Sequence, residues 1–189
     1  MLRSIFCALA LFGIATPVFA QDVRDCSRVS ESGERTLCFE VELPAPSADV
    51  WALWAESGQL STWMAPVAAI DLRPGGMMEA SYDPRGRIGD AGNILNRVAA
   101  VTPMQSLTIQ VERAPPGFPH PVEVRELTTL IVLQPIGADE TRVRVSMTGF
   151  RDGAAFDELY AFFARGNAYT LQKLRERVIN GPVNWEQRE

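Results

Sequence analysis

Across residues 152–180 the sequence keeps one apolar stripe at helical spacing. With Phe156 at zero and about 100° per residue, Phe163, Asn167 and Leu174 fall within about 20° of it. Tyr160, Thr170, Leu171 and Val178 flank the stripe, whereas Asp157, Glu158, Arg165, Gln172, Arg175 and Glu176 lie off it. Gly181-Pro182 ends the run, because neither residue continues a helix. A helix of this length with a mostly aromatic face needs an apolar partner surface, and nearly everything before it is patterned as strand. The chain is therefore expected to be α+β, with an antiparallel sheet packed on a long C-terminal helix.

The strand pattern starts at residues 36–43, where Leu37, Phe39, Val41 and Leu43 share one face and Glu40 and Glu42 the other. Pro44 and Pro46 stop it. Ser47 suits the N-cap of a helix carrying Val50, Trp51, Leu53 and Trp54, which Gly58 should end, and a short helical turn over 59–64 stops before Pro66. Residues 67–73 and 77–82 read as a tight hairpin through Pro74-Gly75-Gly76, since glycine tolerates positive φ. Strands are further expected over 93–102, 106–112, 122–134 and 140–150, with a proline-rich loop at 114–121. No repeat or linker interrupts the series, so residues 36–180 form one domain between an unpatterned arm, 21–35, and a tail, 181–189.

The first 20 residues read as an address and not as part of the fold: Arg3 precedes an apolar run over 5–14, and Val18-Phe19-Ala20 places small residues for a cut after Ala20. The run is shorter than the roughly 20 apolar residues that span a bilayer, so no membrane span is expected after cleavage. The expected location is outside the cytosol, in the periplasm. Export leaves Cys26 and Cys38 as an even pair in an oxidising compartment, with a disulfide from arm to first strand as the default and two separate thiols as the alternative. Composition adds exclusions. With 18 Lys+Arg against 23 Asp+Glu, a formal net charge of −5 and no local basic cluster, the chain lacks a nucleic-acid footprint. One histidine and three cysteines are too few for a metal site of familiar spacing, and no cofactor is expected.

Particular residues sit at the joints of this element order. They are Val50-Trp51 and Trp63 on the two short helices, Asp71-Leu72-Arg73-Pro74-Gly75-Gly76 at the hairpin, and Val98, Val101 and Pro103 before Leu107. Leu133-Gln134-Pro135 and the run from Thr141 to Phe150 complete the set. The ordered set resembles the START-like superfamily called SRPBCC, in its branch named for similarity to the activator of heat-shock-protein ATPase, over roughly residues 36–179. The resemblance implies a helix-grip fold: a curved antiparallel sheet wrapped around a long C-terminal helix, two short helices after the first strand, and a cavity for apolar small molecules. Two slots depart from the family pattern. Trp63-Met64 stands where an aromatic pair is common, and Asn167 where the last helix often carries tryptophan. A cavity of different shape and polarity is expected.

Three classes of function follow. A binding protein for an apolar or amphipathic small molecule needs concave apolar surface and a few polar groups. Its candidate lining is Trp63, Met64, Met78 and Tyr82, the inward strand positions Ile109, Leu127, Thr129, Ile131, Val143, Val145 and Met147, and Phe156, Tyr160, Phe163 and Asn167 on the helix. Asn167 is singled out, because a buried amide must find a partner in protein, water or ligand. The second class is a START-like enzyme of cyclase, dehydratase or hydrolase type, for which Tyr82 with Asp83, or Glu79, are the available groups. Glu79 is expected to face solvent, and His120 to be an exposed loop residue without a partner. The third is an interaction domain with a filled core. A co-chaperone role fits poorly with export, and the oligomeric state stays open.

Overall fold

The computed structural model describes residues 23–185. The leader expected over 1–20 lies outside the described residues, as do the last four positions of the tail. In chain order the elements are β1 (Arg24–Asp25), β2 (Arg28–Val29), β3 (Arg35–Leu43), α1 (Ser47–Ala55), α2 (Ser57–Leu60), β4 (Val67–Ile70), β5 (Met77–Ser81) and β6 (Ile94–Thr102). Then come β7 (Ser106–Arg113), a 3-10 turn at Glu123–Glu126, β8 (Thr128–Gly137), β9 (Glu140–Phe150) and α3 (Ala154–Asn180). The strands form one antiparallel sheet in the order β1-β3-β9-β8-β7-β6-β5-β4, with β2 also paired to β3. This is the α+β helix grip, in which α3 closes over one face of a curved sheet.

The core lies between that face and the helices. Leu37, Val41, Leu43, Leu107, Ile131 and Val143 from the sheet meet Leu159, Leu171 and Leu174 from α3, all nearly or fully buried. The period-two pattern of β3 and the 3.6-residue stripe of α3 thus point at each other, which is the reason for the layer order. Trp54 and Trp63 add a T-shaped pair, with centroids 4.8 Å apart, beneath the two short helices.

Several local expectations are corrected. The arm is not unpatterned in space: Arg24 pairs with Glu40 and Arg28 with Thr36. Cys26 is bonded to Cys38, with Cα atoms 4.8 Å apart. Helix α1 ends at Glu56, whose φ of −114° and ψ of 126° break the helix, and Gly58 sits inside α2. Ser47 is the first helical residue and makes no side-chain cap, because the backbone turns at Pro46. The strand expected over 122–134 starts only at Thr128; residues 123–126 coil into a 3-10 turn that buries Val124.

The hairpin between β4 and β5 forms where the glycines predict it, for two different reasons. Gly75 has a φ of 82°. A Cβ on Gly76 would stand 2.1 Å from the Asp71 carbonyl oxygen, so only glycine fits there. The turn is also stitched to β6, since Gly75 N donates to Val98 O and Val98 N to Gly76 O, each at 2.8 Å.

Candidate functional site

Between the sheet and the middle of α3 the packing opens into an inner chamber of about 140 Å³. Its floor is the inward row of the sheet: Met78 and Ala80 on β5, Ile94 and Asn96 on β6, Ile109 and Val111 on β7, Thr129 and Ile131 on β8, Val145 and Met147 on β9. Phe163, Asn167 and Thr170 of α3 form its roof, and Trp54, Met64 and Tyr82 its ends. No side chain in this lining carries a charge.

The chamber runs outward past Ala80, Tyr82, Ile94, Phe163, Asn167 and Thr170, which also line an outer vestibule of about 620 Å³. The vestibule is built from aromatic rings. Phe118, on the proline-rich loop, stands edge-on to Phe162 at 5.0 Å and 6.2 Å from Phe163. Tyr82 and Tyr169 are exposed at the rim, and Asp83 is the one charged residue of the lining. The backbone N–H of Arg85 holds the Asp83 carboxyl below the ordinary aspartate range, with the Arg85 side chain assisting. That carboxylate is thus committed to its own turn, which does not suit a proton donor.

Two of the lining residues carry an unpartnered nitrogen. Trp54 Nε1 and Asn167 Nδ2 are buried and have no hydrogen-bond partner. They are the buried side-chain donors of the described residues left in this state. Trp63 supplies the contrast, because its Nε1 donates to Leu53 O at 2.9 Å. Two other surface depressions, about 640 and about 430 Å³, carry arginines that already have partners. In the first, Arg35 binds Asp157 at 2.5 Å and Arg151 pairs with Glu126. In the second, Arg177 donates to Thr62 at 2.8 Å and to Gln59 at 3.2 Å.

Of the residues expected to line a cavity, Met64, Met78, Tyr82, Ile109, Thr129, Ile131, Val145, Met147, Phe163 and Asn167 meet around the inner chamber. Trp63, Leu127, Val143 and Phe156 sit in the packed core, the last at 7% exposure. Tyr160 turns to the other side of α3, against Phe150 at 5.0 Å and beneath the Arg35 guanidinium. Trp54, Ala80, Ile94, Asn96, Val111 and Thr170 complete the lining. Strand alternation carried a signal for them: Ile94 and Asn96 are two apart on β6, and Val111 is two from Ile109. Nothing in the sequence distinguishes Trp54 from its neighbour Trp51.

Two corrections concern titratable groups. Glu79 does not face solvent; it is buried and accepts hydrogen bonds from Gly89 N at 2.7 Å and Asn93 Nδ2 at 2.6 Å. Its carboxylate organises the loop from β5 to β6, including the turn beside the vestibule. His120 does have a partner, Glu158 on α3, at 2.7 Å from its Nε2. Among the described residues no cluster of His, Cys, Asp and Glu could hold a metal ion, and no helix is long and apolar enough to cross a membrane.

Among curated proteins, none matches the chain in sequence. Solved structures share its fold at low identity. CalU16 from Micromonospora echinospora is 17% identical, with 86% of this chain and 88% of that one covered and a TM-score of 0.60. The Aha1 dimer protein from Colwellia psychrerythraea is 12% identical, with 77% and 97% covered and a TM-score of 0.61. Protein MLL2253 from Mesorhizobium loti is 19% identical, with 79% and 100% covered and a TM-score of 0.62. The family model described as Activator of Hsp90 ATPase homolog 1-like protein matches residues 44–178, from just after the first long strand to the last turns of α3, and the chain belongs to that family.

Proposed function

We propose that the chain is an exported binding protein for an apolar or amphipathic small molecule, held between the sheet and α3. The observation that carries this reading is the inner chamber itself: an uncharged, largely apolar space that opens through an aromatic vestibule. Small concave apolar sites with a few polar groups are what ligand pockets look like. The family fold, known for holding small hydrophobic molecules, supports the same reading. Export is supported by the leader pattern of the first 20 residues and by the Cys26–Cys38 bond.

Titration with Nile red, a neutral apolar dye whose emission reports desolvation, tests the binding claim. Saturable one-to-one binding is expected, and Thr170→Phe, which fills the passage between chamber and vestibule, should abolish it while leaving a cooperative melt. Absence of saturable binding, or equal binding by the filled variant, would refute the reading. Fractionation of the producing cells with N-terminal sequencing tests export, which requires a mature chain beginning after Ala20.

A further inference from the structure

The inner chamber and its vestibule differ in electrostatic character. Neither lining contains a lysine or an arginine, and the one charged residue in the two is Asp83, at the vestibule. Its side chain is 56% exposed. The turn uses one carboxylate oxygen, Oδ1, which accepts from Arg85 N at 2.9 Å and lies 3.5 Å from Arg85 Nε. The other oxygen, Oδ2, accepts no hydrogen bond among the described residues. The Arg85 side chain is 93% exposed, and an exposed pair of this kind is worth little, so another cation can take its place. Held down first by the Arg85 backbone N–H, the Asp83 carboxyl stays ionised at neutral pH.

The walls of the same space are aromatic. Tyr82, Phe162 and Tyr169 line it and are open to solvent, at 72%, 38% and 54% exposure. The face of such a ring is the negative end of its quadrupole and attracts cations. Tyr169 already shows this, with Lys173 Nζ 5.3 Å from its ring centroid and the lysine's charge met in turn by Glu176. A mouth of rings with one carboxylate and no basic side chain favours a positive head and disfavours a negative one. The chamber suits the opposite end of a molecule: its 140 Å³ is uncharged and close to the roughly 150 Å³ that holds a single benzene ring. Given that the chamber is a binding site, as proposed above, we infer that its ligand is a cationic amphiphile. An ammonium head sits in the vestibule beside Asp83 and against Tyr82 and Phe162, and an apolar tail runs inward to the chamber. A fatty acid or a phosphate ester would bring its charge to Asp83 with no counter-charge in either lining.

Three probes with one tail and different heads test this by calorimetric titration: decyltrimethylammonium, a cation; 1-decanol, which is neutral; and decyl sulfate, an anion. The ammonium should bind about tenfold tighter than the alcohol, the combined effect of an exposed ion pair and one or two ring contacts, and the sulfate should bind weakest. Asp83→Asn keeps an acceptor for Arg85 N and removes the charge, and should reduce the ammonium's advantage by about threefold. In the double variant Asp83→Asn/Tyr82→Leu that advantage should nearly vanish while the alcohol binds as before. Both side chains are exposed, so both variants should melt cooperatively, and Asp83→Asn alone carries the test should the double variant fail to fold. Equal binding of ammonium and alcohol, survival of the full advantage in a folded variant, or tightest binding of the sulfate would each overturn the inference and leave the binding function standing. Failure of all three probes to bind would overturn the binding function and the inference together.

Discussion

His120 Nε2 lies 2.7 Å from Glu158 Oε2, joining the proline-rich loop to α3 next to the vestibule. The same loop carries Phe118 onto Phe162 and Phe163, so this contact and the ring cluster hold one wall in place together. Glu158 is 68% exposed, and exposed pairs contribute little to global stability. His120→Ala is therefore expected to lower stability by less than about 1 kcal/mol while the loop opens more often. Hydrogen exchange should show faster exchange of amides near Phe118 and His120 and unchanged protection in β8 and β9. Unchanged exchange at the loop would show that the rings alone hold it.

Asn167→Leu removes a buried donor that has no partner and keeps a side chain of similar size. Thermal stability should be retained or rise by up to about 1–3 kcal/mol, in contrast to the loss usual for a buried hydrogen-bonded amide. Melting curves decide the matter. A clear loss of stability would show that the amide is tied to a protein acceptor.

The bond between Cys26 and Cys38 pins the arm to β3 across a sequence separation of 12. In the chain-entropy picture a loop of this size is worth about 3 kcal/mol, so Cys26→Ser/Cys38→Ser should unfold at lower denaturant by that amount. The main core lies between β3, the later strands and α3, so the variant should still fold cooperatively. Loss of the whole fold would show that the arm is part of the folding unit.

Glu40 connects acid stability to the same edge of the sheet. Burial pushes its carboxyl up, but hydrogen bonds and charge from Arg24 and Arg144 outweigh that and hold it below the ordinary glutamate range. A carboxylate whose folded value is lowered stabilises fully above its unfolded value, and that contribution is lost as pH falls through the folded value. Glu40→Gln should therefore cost about 1–3 kcal/mol at neutral pH, with the gap to the natural protein closing as the medium is acidified. Urea midpoints at about pH 7 and about pH 3 measure the gap, and a gap independent of pH would refute the ion-pair account.

The sheet and the long helix were legible because burial imposes periods on sequence. Leu37, Phe39, Val41 and Leu43 alternate, and the stripe from Phe156 to Leu174 repeats at helical spacing. Errors fell where tertiary partners override local pattern. Residues 122–127 carry enough apolar residues for a strand, yet they coil so that Val124 and Leu127 reach the core. Glu79 looked solvated by alternation, yet the loop that follows β5 folds back over it with Gly89 and Asn93. The arm had no period of its own because strands as short as β1 and β2 are held by the pairing partner and the disulfide.

Linear pattern specifies which face of each element is apolar, and hence the α+β layering, the strand succession and the helix that closes it. Which of those apolar residues touch each other, and which surround space, follows only from how the segments pack. Met78 and Val143 are both apolar and both inward, yet one lines the chamber and the other is packed in the core, because what lies over each position is supplied by segments distant in sequence. The same holds for hydrogen bonding. Trp54 and Trp63 are identical side chains in neighbouring segments, and the Leu53 carbonyl lies within reach of one indole N–H and not of the other. Periodicity encodes a direction relative to the backbone; pairing and cavities depend on distances between segments far apart in the chain, and these exist only once the chain has folded.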